Sequence, residues 1–218
     1  MSTTVVDTDR CLRRDASENR DRILEAAREA FACEGIDVSL IEIARRAGVG
    51  NATLHRNFTK ESLVQALYEE WRANRHAASL RALEDPDPWN GLHVFMVDTL
   101  EDASRNRSLI DVFMISLHRD ATVGNPVAEL MRRAQESGDL RADASLEDLF
   151  LMFWGIGRTI GITGPAARDQ LHRQVAIALA GLRARPDQPP LPGAAVDKDE
   201  LDQLIGDWAQ MTMVRRRC

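Results

Sequence analysis

An all-α chain is the fold class this sequence predicts. Almost every long segment repeats its apolar residues with a period near 3.6, and alternating, strand-like runs are absent. The 218 residues, 44% of them apolar, suffice for one or two cores but not for a large multidomain enzyme. A formal net charge of -6 excludes a general polycation, so any nucleic-acid surface must be local. No run approaches the roughly 18 apolar residues of a membrane span, and the first residues lack a signal-peptide core. A cytoplasmic protein with no membrane partner is expected. Cys11, Cys33 and Cys218 are odd in number and widely spaced, which suggests neither a disulfide framework nor a zinc site; passive thiols are expected.

The elements follow in order. Residues 1–18 are polar and are expected to form a flexible arm. The first helix is predicted over about Asn19–Glu34, with Ile23, Leu24, Ala27, Ala30 and Phe31 on one face and Gly35 as its stop. "SLIE" at Ser39 is a capping box in which Ser39 bonds the amide of Glu42 and Glu42 reaches back. A short helix then buries Leu40, Ile43, Ala44 and Ala47 until Gly48, where positive φ is cheap. The next, about Asn51–Asn57, has Ala52 and Leu54 as small inward contacts. A long helix from Lys60 to about Leu83 carries Leu63, Val64, Leu67, Tyr68 and Trp71, and "EDPDPW" breaks it. Helices follow at about Trp89–Asn106, Ser108–His118, Pro126–Glu136, Leu146–Ile162 and Ala166–Ala184. Asn125 with Pro126, and "SLED" at Ser145, sign two of the starts. The proline-rich "ARPDQPPLPGAAVD" is a linker. Beyond it Leu201, Leu204, Ile205, Trp208 and Met211 form the stripe of a last amphipathic helix that should dock on the body.

Two short helices around Gly48 read as a helix-turn-helix, in which a capped supporting helix presents the next to a major groove. Between Val38 and Lys60 the cations Arg45, Arg46, Arg56 and Lys60 stand against Glu42 alone. The outward Asn51, Thr53, His55 and Arg56 carry donors and acceptors able to meet base edges or phosphates. Spacing and charge are also compatible with two short helices of an ordinary helical core whose polar residues face water.

"ILEAAREAFACEGIDVSLIEIARRAGVGNATLHRNF" resembles the N-terminal DNA-binding domain of TetR-type transcriptional regulators. It shares the Ile-Leu-x-Ala-Ala-x-x-x-Phe first helix, the Ile-Ala-x-x-Ala-Gly-Val supporting helix and the Ala-Thr-Leu-x-x-x-Phe recognition helix. The resemblance covers about 50 residues and is specific, because several spacings match together. It departs in three places. His55 stands where Tyr is most common, "FTKESL" is one residue shorter than the usual Phe-x-x-Lys-Glu link, and Ile41 stands where a polar residue is common.

The resemblance implies a homodimeric, two-domain regulator, most simply a repressor released from a palindromic operator by a small, partly apolar inducer. The expected DNA-binding set is Ser39, Asn51, Ala52, Thr53, His55, Arg56 and Lys60. Inducer contacts are expected from Phe95, Met96, Met114, His118, Met131, Phe150, Trp154 and Arg158, since Met and flat aromatics suit an apolar ligand. The dimer is expected to form a four-helix interface from the helices at 146–162 and 166–184, through Phe153, Leu171, Val175, Leu179 and Leu182. The domains are then an arm at 1–18, a reading head at 19–62, a ligand-binding and dimerisation domain at 63–185, and a linker with a C-terminal helix at 186–218. The lever between head and body is the helix from Lys60, with Leu63 and Leu67 gripping the head and Tyr68 and Trp71 nearer the body.

No cofactor, metal or enzymatic activity is expected. "GIGRTIG" has neither the spacing nor the preceding strand of a nucleotide loop, and its small residues suit close helix approach. The histidines are dispersed, without a His-Glu-x-x-His. Two rivals stay open: a DNA-binding protein of the same fold governed by a protein partner or by no inducer, and a helical enzyme containing this bundle.

Overall fold

The computed structural model describes the backbone of residues 4–105, 109, 125–160 and 167–215, and side chains between Ser17 and Trp208 apart from Arg105, Ile160 and Ala167. The described residues are helical: α1 (Thr4–Glu34), α2 (Leu40–Ala47), α3 (Asn51–Asn57), α4 (Lys60–Leu83), α5 (Pro88–Arg105), α6 (Pro126–Glu136), α7 (Leu146–Ile160), α8 (Ala167–Leu182) and α9 (Lys198–Arg215). The helix expected at 108–118 lies outside them. Two compact units divide between Glu70 and Trp71, eight residues later than the expected limit of the reading head.

In the first unit, α1 begins at Thr4, so residues 4–18, expected to form an irregular arm, continue the helix. The segment contains no Gly or Pro to break it. Ile23, Ala26, Ala27, Ala30 and Phe31 are buried, while Leu24 is half-buried. α2 starts on Ser39, whose Oγ accepts from the amide of Glu42 at 3.2 Å. It ends at Gly48, whose N–H bonds the carbonyls of Ala44 and Arg45 and whose φ of 64° turns the chain so that Val49 N–H donates to the Ala44 carbonyl at 3.1 Å. Only Ile43, Ala44 and Ala47 of α2 are buried; Leu40 is half-buried. α3 is anchored by Leu54, fully buried, and by Phe58, whose amide donates to the Leu54 carbonyl at 2.8 Å and whose ring carries the Arg20 guanidinium 4.7 Å above it. A reciprocal cap then starts α4: Thr59 N–H donates to Ser62 Oγ (2.8 Å) and Ser62 N–H to Thr59 Oγ1 (3.2 Å).

In the second unit α5 packs against α6, α7 and α8 around Trp71, Leu92, Phe95, Met96, Leu100, Leu130, Leu149 and Val175, all buried. The start of α5 comes so close to the end of α4 that a Cβ on Gly91 would lie 2.5 Å from the Ala82 carbonyl oxygen. Both predicted caps form: Asn125 accepts from Val127 N–H at 3.0 Å, and Ser145 and Asp148 cap each other. The loop between α6 and α7 holds the chain after α8. Arg141 N–H donates to the Leu182 carbonyl (3.0 Å) and Ala184 N–H to that of Asp139 (2.8 Å). The Arg141 side chain pairs with Asp143 and donates to the Pro189 carbonyl (3.0 Å), while Leu191 N–H donates to Asp143 (2.8 Å). The guanidinium and that amide hold the Asp143 carboxyl far below the usual carboxylate range. The linker is thus pinned by both a charge and backbone bonds. α9 buries Leu201 and Ile205 and half-buries Trp208, but Leu204, expected on the docking stripe, is 51% exposed.

Candidate nucleic-acid interface

The candidate reading surface lies on α2 and α3, joined across Gly48. With Leu54 turned into the core, α3 leaves Asn51, Ala52, His55 and Arg56 exposed and Thr53 half-buried. Ala52 was expected inward. It stands two residues, about 200°, from Leu54, and on a seven-residue helix that is the opposite side. Thr53 offers less of its surface than expected. Arg56 Nε donates to the Ala52 carbonyl at 3.1 Å and Asn57 Nδ2 to the Thr53 carbonyl at 2.7 Å, fastening both side chains to the helix. Ser39 is exposed at the head of α2, and Lys60, half-exposed, begins α4.

Electrostatics divides the basic window in two. Arg45 donates twice to Glu42, at 2.8 and 2.7 Å, and Arg46 donates to Glu42 at 2.8 Å and pairs with Glu34. The bonds from Arg45 first, then Arg46, lower the Glu42 carboxyl to about 2. Glu42 therefore serves these arginines and not the return bond of its capping box. Half the positive charge counted in the sequence is compensated locally, and the cations offered outward by α3 and the head of α4 are Arg56 and Lys60. The i, i+3 and i, i+4 spacing of Glu42, Arg45 and Arg46 is the signal that carried this information.

The expected inducer contacts lie in the second unit. Phe95, Met96, Met131 and Trp154 are buried and Phe150 is half-buried; Met114 and His118 lie outside the described residues. The Arg75 guanidinium sits 5.5 Å over the Phe95 ring. Phe150 meets Trp154 edge-on at 6.1 Å, and Trp154 meets Trp208 of α9 edge-on at 4.9 Å. Arg158 is exposed and stacks over Trp208. Sequence reading did not foresee α9 as the neighbour of Trp154 and Arg158, because nothing local couples residues fifty positions apart.

The expected dimer residues need correction. Phe153, Leu171, Val175, Leu179 and Leu182 are all buried inside the chain itself, so they have no surface left to offer a second copy. The apolar stripe that marked them is the one α7 and α8 turn to their own core. Outward, α8 exposes Ala176, Ile177, Ala180 and Gly181, and α7 exposes Gly155 and Thr159 beside half-exposed Leu151. Among the described residues a Cβ on Gly155 would meet nothing within 4 Å, so its smallness serves no helix contact among them.

Among the described residues no group of three His, Cys, Asp or Glu is placed to hold a metal ion, no helix is long and apolar enough to cross a membrane, and Cys33 is an exposed free thiol.

Residues 23–67 match the family model for bacterial regulatory proteins of the tetR family, and residues 87–184 match that of the SbtR-like transcriptional regulator C-terminal domain. The chain is similar to the HTH-type transcriptional regulator SrpR of Pseudomonas putida, 24% identical over 192 residues, covering 81% of this chain and 89% of that protein. It is 27% identical to the HTH-type transcriptional regulator UidR of Escherichia coli over 189 residues, 78% and 92% of the two chains. Among solved structures, the TetR transcriptional regulator SCO0520 of Streptomyces coelicolor is 30% identical, with a TM-score of 0.53 over 76% of this chain and 98% of that one.

Proposed function

We propose that this chain, which belongs to the TetR family of bacterial DNA-binding transcriptional regulators, is a repressor that holds a palindromic operator as a homodimer and is released by a small, partly apolar ligand. The observation that carries the reading is α4. Leu63, Leu67 and Tyr68 are buried in its first part, and Trp71, Ala78 and Ala82 after the division at Glu70, so one helix is common to a reading unit and to a larger helical unit. A ligand that repacks side chains around Trp71 would displace α4, and the spacing of two heads over successive major grooves would change with it.

Adaptable, buried Phe95, Met96, Met131 and Trp154 would supply the apolar contacts and Arg158 a charge for orientation. The two copies would meet through the outward stripes of α7 and α8, where small side chains permit close helix approach. The regulator would work in the cytoplasm, where its DNA lies.

Linkage supplies the test. A duplex is first selected from a random library on the full-length protein, and small amphipathic molecules are screened for a rise in Tm. A hit is then titrated by calorimetry with and without the duplex. Operator must weaken ligand binding by the factor through which ligand weakens operator binding, about 5- to 150-fold across allosteric proteins. Equal ligand affinity in both titrations refutes release by ligand and favours control by a protein partner.

A further inference from the structure

Ile41 is 62% exposed, more than any other large apolar side chain among the described residues. It stands in the first turn of α2, two residues after the exposed cap Ser39. The buried side chains of α2 are Ile43, Ala44 and Ala47, and at about 100° per residue Ile41 stands roughly 110° from their mean direction, on the exposed strip it shares with Arg45. The long side chains nearby do not fold over it. Arg45 is drawn to Glu42 by two bonds, and Arg46 to Glu42 and Glu34. A bare, branched hydrocarbon is therefore presented on the supporting helix of a DNA-reading unit.

In a helix-turn-helix the second helix lies in the major groove while the first crosses the backbone at its edge, so the outward first turn of α2 continues the surface that α3 offers. Isoleucine can bond neither a phosphate nor a base edge. The apolar feature of the major groove is the C5 methyl of thymine. We propose that Ile41 reads a thymine methyl at the edge of the groove, which makes it a specificity residue of the interface beyond those on α3. The proposal rests on α2 and α3 being the DNA-reading pair. Burying one methyl against Ile41 corresponds to about a fourfold gain in affinity.

Deoxyuridine differs from thymidine by that methyl alone and keeps its hydrogen bonds, so it isolates the contact. Duplexes selected from a random library on the full-length protein are remade with each thymine in turn replaced by deoxyuridine, and their affinities for the native chain, Ile41→Val and Ile41→Ala are compared. At one thymine per half-site the replacement should cost the native chain about fourfold, Ile41→Val should keep most of that penalty, and Ile41→Ala should abolish it. Circular dichroism should show all three chains equally helical, as befits an exposed position. The proposal is overturned if no thymine carries a penalty, or if Ile41→Ala retains every penalty. It is overturned equally if Ile41→Ala weakens all duplexes alike, which would place Ile41 against the sugar-phosphate backbone or a second chain. Selection of no duplex at all would overturn the DNA-reading assignment itself.

Discussion

The guanidinium of Arg158 lies 4.9 Å above the ring of Trp208, which meets Trp154 edge-on at the same distance. This pairing joins α9 to α7. A helix in a protein draws most of its stability from packing its apolar face, so α9 depends on buried Leu201 and Ile205 and on this aromatic contact. Trp208→Ala removes a cation–π and an edge-to-face contact, together about 1–2 kcal/mol. Amide exchange in residues 198–208 should therefore quicken by about tenfold while that in α5 stays unchanged. Unaltered protection in α9 would show that the contact does not hold it.

Gly91→Ala should destabilise the second unit by about 1–3 kcal/mol, because the new Cβ meets the backbone oxygen of Ala82, which cannot swing aside. Thermal unfolding of the two proteins measures it. An unchanged Tm would mean that α5 slides along α4 without cost.

Ile177, 56% exposed on α8, separates pairing from folding. Ile177→Glu should produce helical monomers by sedimentation, because the charge falls on the outward stripe. Val175→Glu places the charge in a fully buried site of the same chain and should unfold the unit instead. A native protein already monomeric at micromolar concentration would refute the stripe as an interface.

Arg56→Ala and Lys60→Ala should each flatten the salt dependence of operator binding by about one unit of log-log slope, as the loss of one phosphate contact requires. Arg45→Ala should change it less, because Glu42 already compensates Arg45. Equal slopes for all three variants and the native protein would move the DNA surface elsewhere.

Glu42 contributes stability with a definite sign. Its folded carboxyl is lowered from 4.5 to about 2, so the contribution is fully present above pH 4.5 and is lost as pH falls through 2. Glu42→Gln should lower Tm near pH 6, and the difference from the native chain should close between pH 4.5 and 2. A difference independent of pH would assign the loss to something other than the carboxylate.

The amino-acid sequence by itself determined what depends on neighbours along the chain. Ser39 and Ser145 with the acids three positions on, Asn125 before Pro126, and Gly48 between α2 and α3 each act within one helical turn, so their patterns announced caps, the turn and the reading helix. The absence of Gly and Pro before Gly35 was equally legible, although polar composition suggested an arm where helix forms.

Tertiary structure decided which of two surfaces an apolar residue meets. Val175 and Leu179 on one side of α8, and Ile177 and Ala180 on the other, are alike in composition; only the packing of α5 and α7 against α8 assigns the first pair to the core and leaves the second outward. Long-range partners were hidden for the same reason. Trp208 finds Trp154, and Arg141 finds the Pro189 carbonyl, through contacts whose free energy depends on chain segments brought together only by folding, and a local pattern carries no record of them.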